Sequence, residues 1–213
     1  MDAFVITIAR QYGSGGRSIG ESLAAKLGIS YYDKNIIRMA SDESGILEEL
    51  FGSVDEYADT KAPLFEKKSL YTGELLPPES KHYTSGVNLF SYQAKVIKEL
   101  AQRESCVIIG RCANLILDPE HFPNVLRVYV HAPWDARMES ACRKKGGSRK
   151  DVARFMRRDD KRKEELCRRY TGKDWNDPAY YDLYLDTSEM GRDQVQDVIE
   201  KAYLEMKMKA ANR

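Results

Sequence analysis

The feature that most constrains this 213-residue chain is a glycine-rich turn placed straight after its first apolar run. Residues Phe4 to Ile8 read as a buried strand, and Gln11-Tyr12-Gly13-Ser14-Gly15-Gly16-Arg17-Ser18 follows. Ile19, Leu23, Ala24 and Leu27 then fall on one helical face. Strand, glycine turn and helix make a phosphate cradle, because glycines let backbone N–H groups converge on an anion and the helix adds its positive dipole end. Ser18 brings a hydroxyl suited to Mg²⁺. Against the pattern G-x-x-x-x-G-K-[ST], Gln11 replaces the first glycine and Arg17 replaces the lysine. Charge and loop length survive, but a planar guanidinium is not a compact ammonium. A turn that needs glycine only for its backbone angles has the same residue types. So does a partial dinucleotide fingerprint, Gly13-x-Gly15-x-x-Ser18 with Asp33 downstream.

Composition narrows the classes. The length suits one substantial domain, and no stretch approaches the ~20 apolar residues of a membrane span. No charged-then-apolar leader is visible at the start. Cys106, Cys112, Cys142 and Cys167 lack C-x-x-C pairing, and His82, His121 and His131 are scattered. Reduced thiols in a cytoplasmic protein, without a structural metal site, are the expectation. Net charge is only +1, yet Arg143 to Arg169 holds thirteen Lys/Arg against five Asp/Glu. A solvated helix face explains such a run. Beside a phosphate loop, it also suits a segment that closes over polyphosphate. No aromatic stacking module accompanies it, so nucleic acid is not expected.

Along the chain, Gly28 marks the end of the first helix, and a second strand ends at Tyr31-Tyr32-Asp33. Residues 35–94 read as a helical insertion with a mobile portion, including helical pieces at Ile36–Ala40 and Leu47–Tyr57 and an aperiodic stretch at 72–80. A helix is expected over about Asn88–Gln102, strands at Cys106–Ile109, Val125–Val130 and Tyr181–Leu185, and a terminal helix carrying Val195, Val198, Ile199, Ala202 and Met206. Short apolar strands alternating with helices predict a parallel sheet covered on both faces.

Ligands of such sheets bind beyond the carboxyl ends of the strands. Gly110-Arg111 falls there, where an arginine grips phosphate bidentately. Asp33 falls there too, with Arg38 a turn into the next helix, although Asp33 equally suits a helix N-cap. Arg154, Arg158 and Arg162 share a helical face. An anion between them, or the neighbouring acids, would balance that face. Together these parts describe phosphoryl transfer, which needs positioning, a metal and cations more than covalent chemistry.

The chain resembles the cytidylate kinase-like family of P-loop nucleoside monophosphate kinases. The resemblance rests on Ile6 to Arg17, Leu27 to Asp33, Cys106 to Ala113, Tyr170 to Trp175 and Tyr181-Asp182-Leu183, in order along nearly the whole chain. It implies a single α/β P-loop kinase domain, with a core of 1–34, 95–142 and 179–213, an acceptor-binding insertion at 35–94 and a lid at 143–178. It implies ATP and Mg²⁺, and a nucleoside monophosphate such as CMP or dCMP as acceptor. Gly13, Ser14, Gly15, Gly16, Arg17 and Ser18 would hold the donor, with Arg17 on its β- and γ-phosphates and Ser18 on the metal. Asp33, Arg38 and Arg111 would hold the acceptor, and Arg158 and Arg162 would be the lid arginines, with Asp160-x-x-Lys163 as another register. The family's D-G-R-D run is here Ile109-Gly110-Arg111-Cys112, so two carboxylates are missing. The other class these departures suggest is a nucleotide-binding regulatory protein without turnover.

Overall fold

The computed structural model describes residues 3–56 and 70–212. Five strands, β1 (Val5–Arg10), β2 (Ser30–Tyr32), β3 (Cys106–Ile109), β4 (Val125–His131) and β5 (Leu183–Asp186), form one parallel sheet in the order β2-β3-β1-β4-β5. The first, third and fourth are buried along nearly their whole length, as expected of parallel strands covered on both faces. The order overturns the dinucleotide reading. There the second strand lies beside the first, whereas here β3 intervenes and carries Gly110-Arg111 to the flank of the glycine turn.

Helices cover the two faces. On one side α1 (Gly16–Leu27) and α9 (Arg192–Ala211) bury Ile19, Leu23, Val195, Ile199 and Tyr203 against Ile6, Ile8 and Val128. Gly20 lets α1 approach closely, since a Cβ there would stand 2.5 Å from Ile109 Cδ1. On the other side lie α2 (Asn35–Ser44), α3 (Glu48–Glu56), α4 (Gly86–Arg103) and the short α5 (Ala113–Ile116), around Phe51, Phe90, Ile97 and Tyr129. The predicted helix end at Tyr57, and with it residues 57–69 of the insertion, lies outside the described residues. The boundary expected at residue 94 falls inside α4, which is continuous. The stretch after residue 70 lacks helix or strand as expected, but it is pinned. Asn88 accepts from Leu76 N–H at 2.8 Å and donates to the Tyr83 carbonyl at 2.6 Å, and Tyr71 N–H donates to the Tyr170 carbonyl at 2.8 Å.

The basic segment is ordered as α6 (Trp134–Lys145) and the 23-residue α7 (Arg149–Thr171), capped by Ser148. Its C-terminal end stacks Tyr170 on Phe90 with centroids 4.7 Å apart. The last strand begins two residues later than expected: the Tyr181 N–H is taken by the Pro178 carbonyl of the preceding turn, and the Asp182 side chain accepts from the Arg127 N–H of β4 at 2.7 Å. The turn α8 (Thr187–Met190) completes the chain path. Among the described residues no helix is long and apolar enough to cross a membrane. Among the described residues no disulfide joins the four cysteines, and burial pushes the Cys106 thiol up to about 12.

One exposed-edge carboxylate carries a pH signature. Glu104 accepts from Ser30 Oγ, from Arg103 Nη2 at 2.7 Å and from the Tyr32 hydroxyl at 3.0 Å, and these bonds, Ser30's first, lower its pKa. A lowered folded value means this stability is present above the ordinary 4.5 and is lost as pH falls through the folded value. Glu104→Gln should therefore cost about 1 kcal/mol at pH 7. In urea titrations the gap from wild type should close as pH approaches the folded value. A gap unchanged in acid would contradict it.

Candidate functional site

The glycine turn leaves the carboxyl end of the central strand β1. Gly13 and Gly15 have φ of +86° and +93°, which only glycine adopts without strain. Gly15 stands at the N-cap of α1. Ser14 closes the turn by donating its hydroxyl to the Gln11 carbonyl at 2.9 Å, and Gln11 itself accepts through Oε1 from the Ala132 N–H. The backbone N–H of Gln11 already bonds the Val130 carbonyl, and the side chain adds a contact just past β4 that a glycine could not make. Among the described residues, the N–H groups of Gly13, Gly15, Gly16, Arg17 and Ser18 have no hydrogen-bond acceptor. Five unpartnered donors at the start of a helix are an arrangement suited to an anion.

A cavity of about 450 Å³ opens beside the loop. Gly13 and Ser14 form one wall, Arg143 and Lys144 of α6 a second, and Thr187 and Arg192 a third. Its cations were not foreseen: Lys144 Nζ donates to Ser18 Oγ at 3.1 Å, and Arg192 donates to Ser140 Oγ at 3.0 Å. Ser18 accordingly fits a divalent cation only once Lys144 has moved off its oxygen.

On the opposite side the ends of β2 and β3 converge. Asp33 is buried, and it is an ion-pair acceptor rather than the cap of α2, whose N-cap is Lys34. Its Oδ2 is 2.9 Å from Arg17 Nε, and its Oδ1 is 3.8 Å from Arg10 Nη2. The Tyr31 hydroxyl and then Asp33 push the Arg17 pKa up. Arg10, unassigned in the sequence reading, lays its guanidinium against Gly110, where a Cβ would lie 2.1 Å from Nη1. Burial lowers the Arg10 pKa; Asp33 and Asp159 oppose the shift, while the Arg111 charge adds to it. Gly110, Arg111 and Cys112 all have positive φ, the last two at +59° and +54°. Two consecutive left-handed non-glycine residues cost about 1–2 kcal/mol each. Such strain clusters at ligand sites.

The middle of α7 faces the loop from outside the sheet. Asp160 accepts from the Tyr12 N–H at 2.7 Å and from Arg137 Nη1 at 2.6 Å. Lys163 lies 2.6 Å from Asp159 and donates to the Arg10 carbonyl at 3.3 Å. Burial, then the Arg10 charge, lowers the Lys163 pKa. The arginine face expected at 154, 158 and 162 is partly balanced by acids. Arg154 pairs with Asp151 at 3.6 Å and Arg162 with Asp159 at 2.8 Å, whereas Arg158 is exposed near the Phe155 ring. Arg38 lies on the exposed face of α2. Arg10 closes an apolar strand just as Arg111 does, and the same signal would have flagged it. Arg137 had no such signal, because its burial depends on bonds to the Ala132 and Tyr12 carbonyls and to Asp160 that no local spacing announces.

A parallel sheet in this order, with a glycine loop leaving its central strand, is the P-loop kinase fold. The solved structure of shikimate kinase from Bacteroides thetaiotaomicron shares it, with a TM-score of 0.51 at 12% identity over 96% of this chain and 98% of that one. An uncharacterized protein from Eubacterium ventriosum superposes with a TM-score of 0.66 at 23% identity, over 94% and 98% of the two chains. The model of the cytidylate kinase-like family matches residues 5–189, and the chain belongs to that family. It is 25% identical over 209 residues to the cytidylate kinase of Methanopyrus kandleri, covering 93% of this chain and 92% of that one.

Proposed function

We propose that this protein transfers the γ-phosphoryl group of Mg²⁺–ATP to a small phosphate-bearing acceptor, a nucleoside monophosphate of the CMP or dCMP kind. The observation that carries this reading is the set of unpartnered N–H donors at Gly13 and at Gly15 to Ser18, beside a cavity walled by Arg143, Lys144 and Arg192. The loop N–H groups would hold the donor's phosphates, the cavity would take its nucleoside, and Ser18, once released by Lys144, would offer the metal a hydroxyl. Segment 35–94 binds the acceptor and 143–178 closes over it. Arg111, Arg38 and Asp33 hold the acceptor. Asp33 and Arg111 follow the carboxyl ends of the neighbouring strands β2 and β3, where ligands of parallel sheets bind, and this supports that placement. An acceptor phosphate oxygen attacks the γ-phosphorus in line, and the bond to the departing ADP oxygen breaks. Arg158 and Arg162 stabilise the charge spread over the transferring group.

The test is ADP release from Mg²⁺–ATP across CMP, dCMP, UMP, AMP, GMP and non-nucleotide phosphates. Acceptor-dependent turnover that falls at least 100-fold in Arg111→Ala is the expected result. A second reading, a nucleotide-binding regulator without turnover, is favoured by one observation: Arg17 is held on Asp33 instead of at the loop. ATP binding without turnover on any acceptor would select it.

A further inference from the structure

Resting on the donor-site reading above, we infer that Lys163 of α7 supplies the ammonium that the glycine loop lacks, while Arg17 is a positioning residue that orients Asp33. Three observations converge. Arg17, at the loop's own cation position, turns its Nε to Asp33 at 2.9 Å. Lys163 Nζ donates to the Arg10 carbonyl, the last one of β1 before the loop begins. The helix that bears Lys163 is fixed to the same loop one turn earlier, through the Tyr12 N–H on Asp160.

An ammonium is the right group for that place. It is compact, has three donors, and re-aims by rotating a flexible stem. Its lysine is largely withdrawn from water, with a side chain 17% exposed, so its charge is weakly screened there. Asp159 and Asp160, at 2.6 and 3.5 Å, hold it when no donor is present. The ion-paired groups around it are cations Arg10, Arg17, Arg137, Arg162 and Lys163 against anions Asp33, Asp159 and Asp160. This surplus of positive charge suits a polyanion, and triphosphate brings one. Arg17, fork-shaped and engaged, instead fixes the carboxylate that faces the acceptor side.

The test compares binding of ATP and AMP to the whole protein by calorimetry without metal, alongside steady-state kinetics. Lys163→Met should weaken ATP at least tenfold and leave AMP within threefold, because AMP has no β- or γ-phosphate to lose. Lys163→Arg should recover part of the ATP affinity. In Lys163→Met Asp159 keeps Arg162 and Asp160 keeps Arg137, and a thermal melt of each variant separates loss of fold from loss of binding. Arg17→Met should keep ATP affinity within threefold and raise the acceptor KM at least fivefold, with Arg17→Lys equally unable to tighten ATP. Unchanged ATP affinity in both Lys163 variants, or an equal loss in Arg17→Met, overturns the inference. Wild-type protein that binds no ATP at all instead overturns the donor-site reading.

Discussion

Asp160→Ala should lower the melting temperature by on the order of 10 °C and abolish ATP binding together. Asp160 joins three elements with one carboxylate: the loop through Tyr12 N–H, α6 through Arg137 and α7 through Lys163. Arg137 is the reason for the size of the effect. Its side chain is 8% exposed, and Asp160 is its ion-pair partner at 2.6 Å. Removing one member of a buried pair costs about 3–5 kcal/mol, because the remaining charge stays buried. In a domain this long each kcal/mol moves the midpoint by roughly 2–4 °C. Asp160→Asn keeps an acceptor for Tyr12 but loses the charge, so it should fall between. A drop below about 3 °C in Asp160→Ala, read by calorimetry, would show that Arg137 finds another partner.

The second large effect is expected at the loop. In Gly13→Ala the new Cβ would meet the Arg137 carbonyl oxygen at 2.5 Å with φ at +86°. A backbone oxygen within α6 cannot step aside as a side chain does, so the loop itself must move and its N–H groups lose their convergence. ATP affinity should drop at least tenfold. The control is Gly45→Ala, another left-handed glycine, at the end of α2, with open space around it. It incurs only the backbone cost of about 1–2 kcal/mol and should bind ATP normally. Equal ATP affinity in the two variants would mean that the loop tolerates displacement and that convergence is not what binds phosphate.

These residues also mark where sequence reasoning succeeded and where it stopped. The strands were legible because Val5–Ile8, Cys106–Ile109 and Val125–Val130 are short apolar runs, each followed by polar or glycine-bearing turns. The glycine loop was legible because its spacing is local. Local patterns also located Asp33 and Arg111 at strand ends. What spacing could not say is which charge answers which: Arg17 goes to Asp33, and Asp160 goes to a backbone amide 148 positions away. Those pairings follow from sheet order, which brings β2 next to β3 and sets α7 across the loop. Gln11 illustrates the same limit. As a deviation from a pattern it looked like a loss, whereas in the fold it is a tether to Ala132.

The stack of Tyr170 on Phe90, with Tyr71 bonded to the Tyr170 carbonyl, has a mechanical meaning. It fixes the far end of α7 as a fulcrum. At about 1.5 Å per residue, Asp160 lies roughly 15 Å from that fulcrum and Arg149 roughly 32 Å. A rigid tilt about that end that lengthened the Asp160 contact by about 1 Å would carry Arg149 through about 2 Å. Val152 and Met156, buried against Met138 and Ala141, tie any such tilt to α6, and so to the cavity wall formed by Arg143 and Lys144.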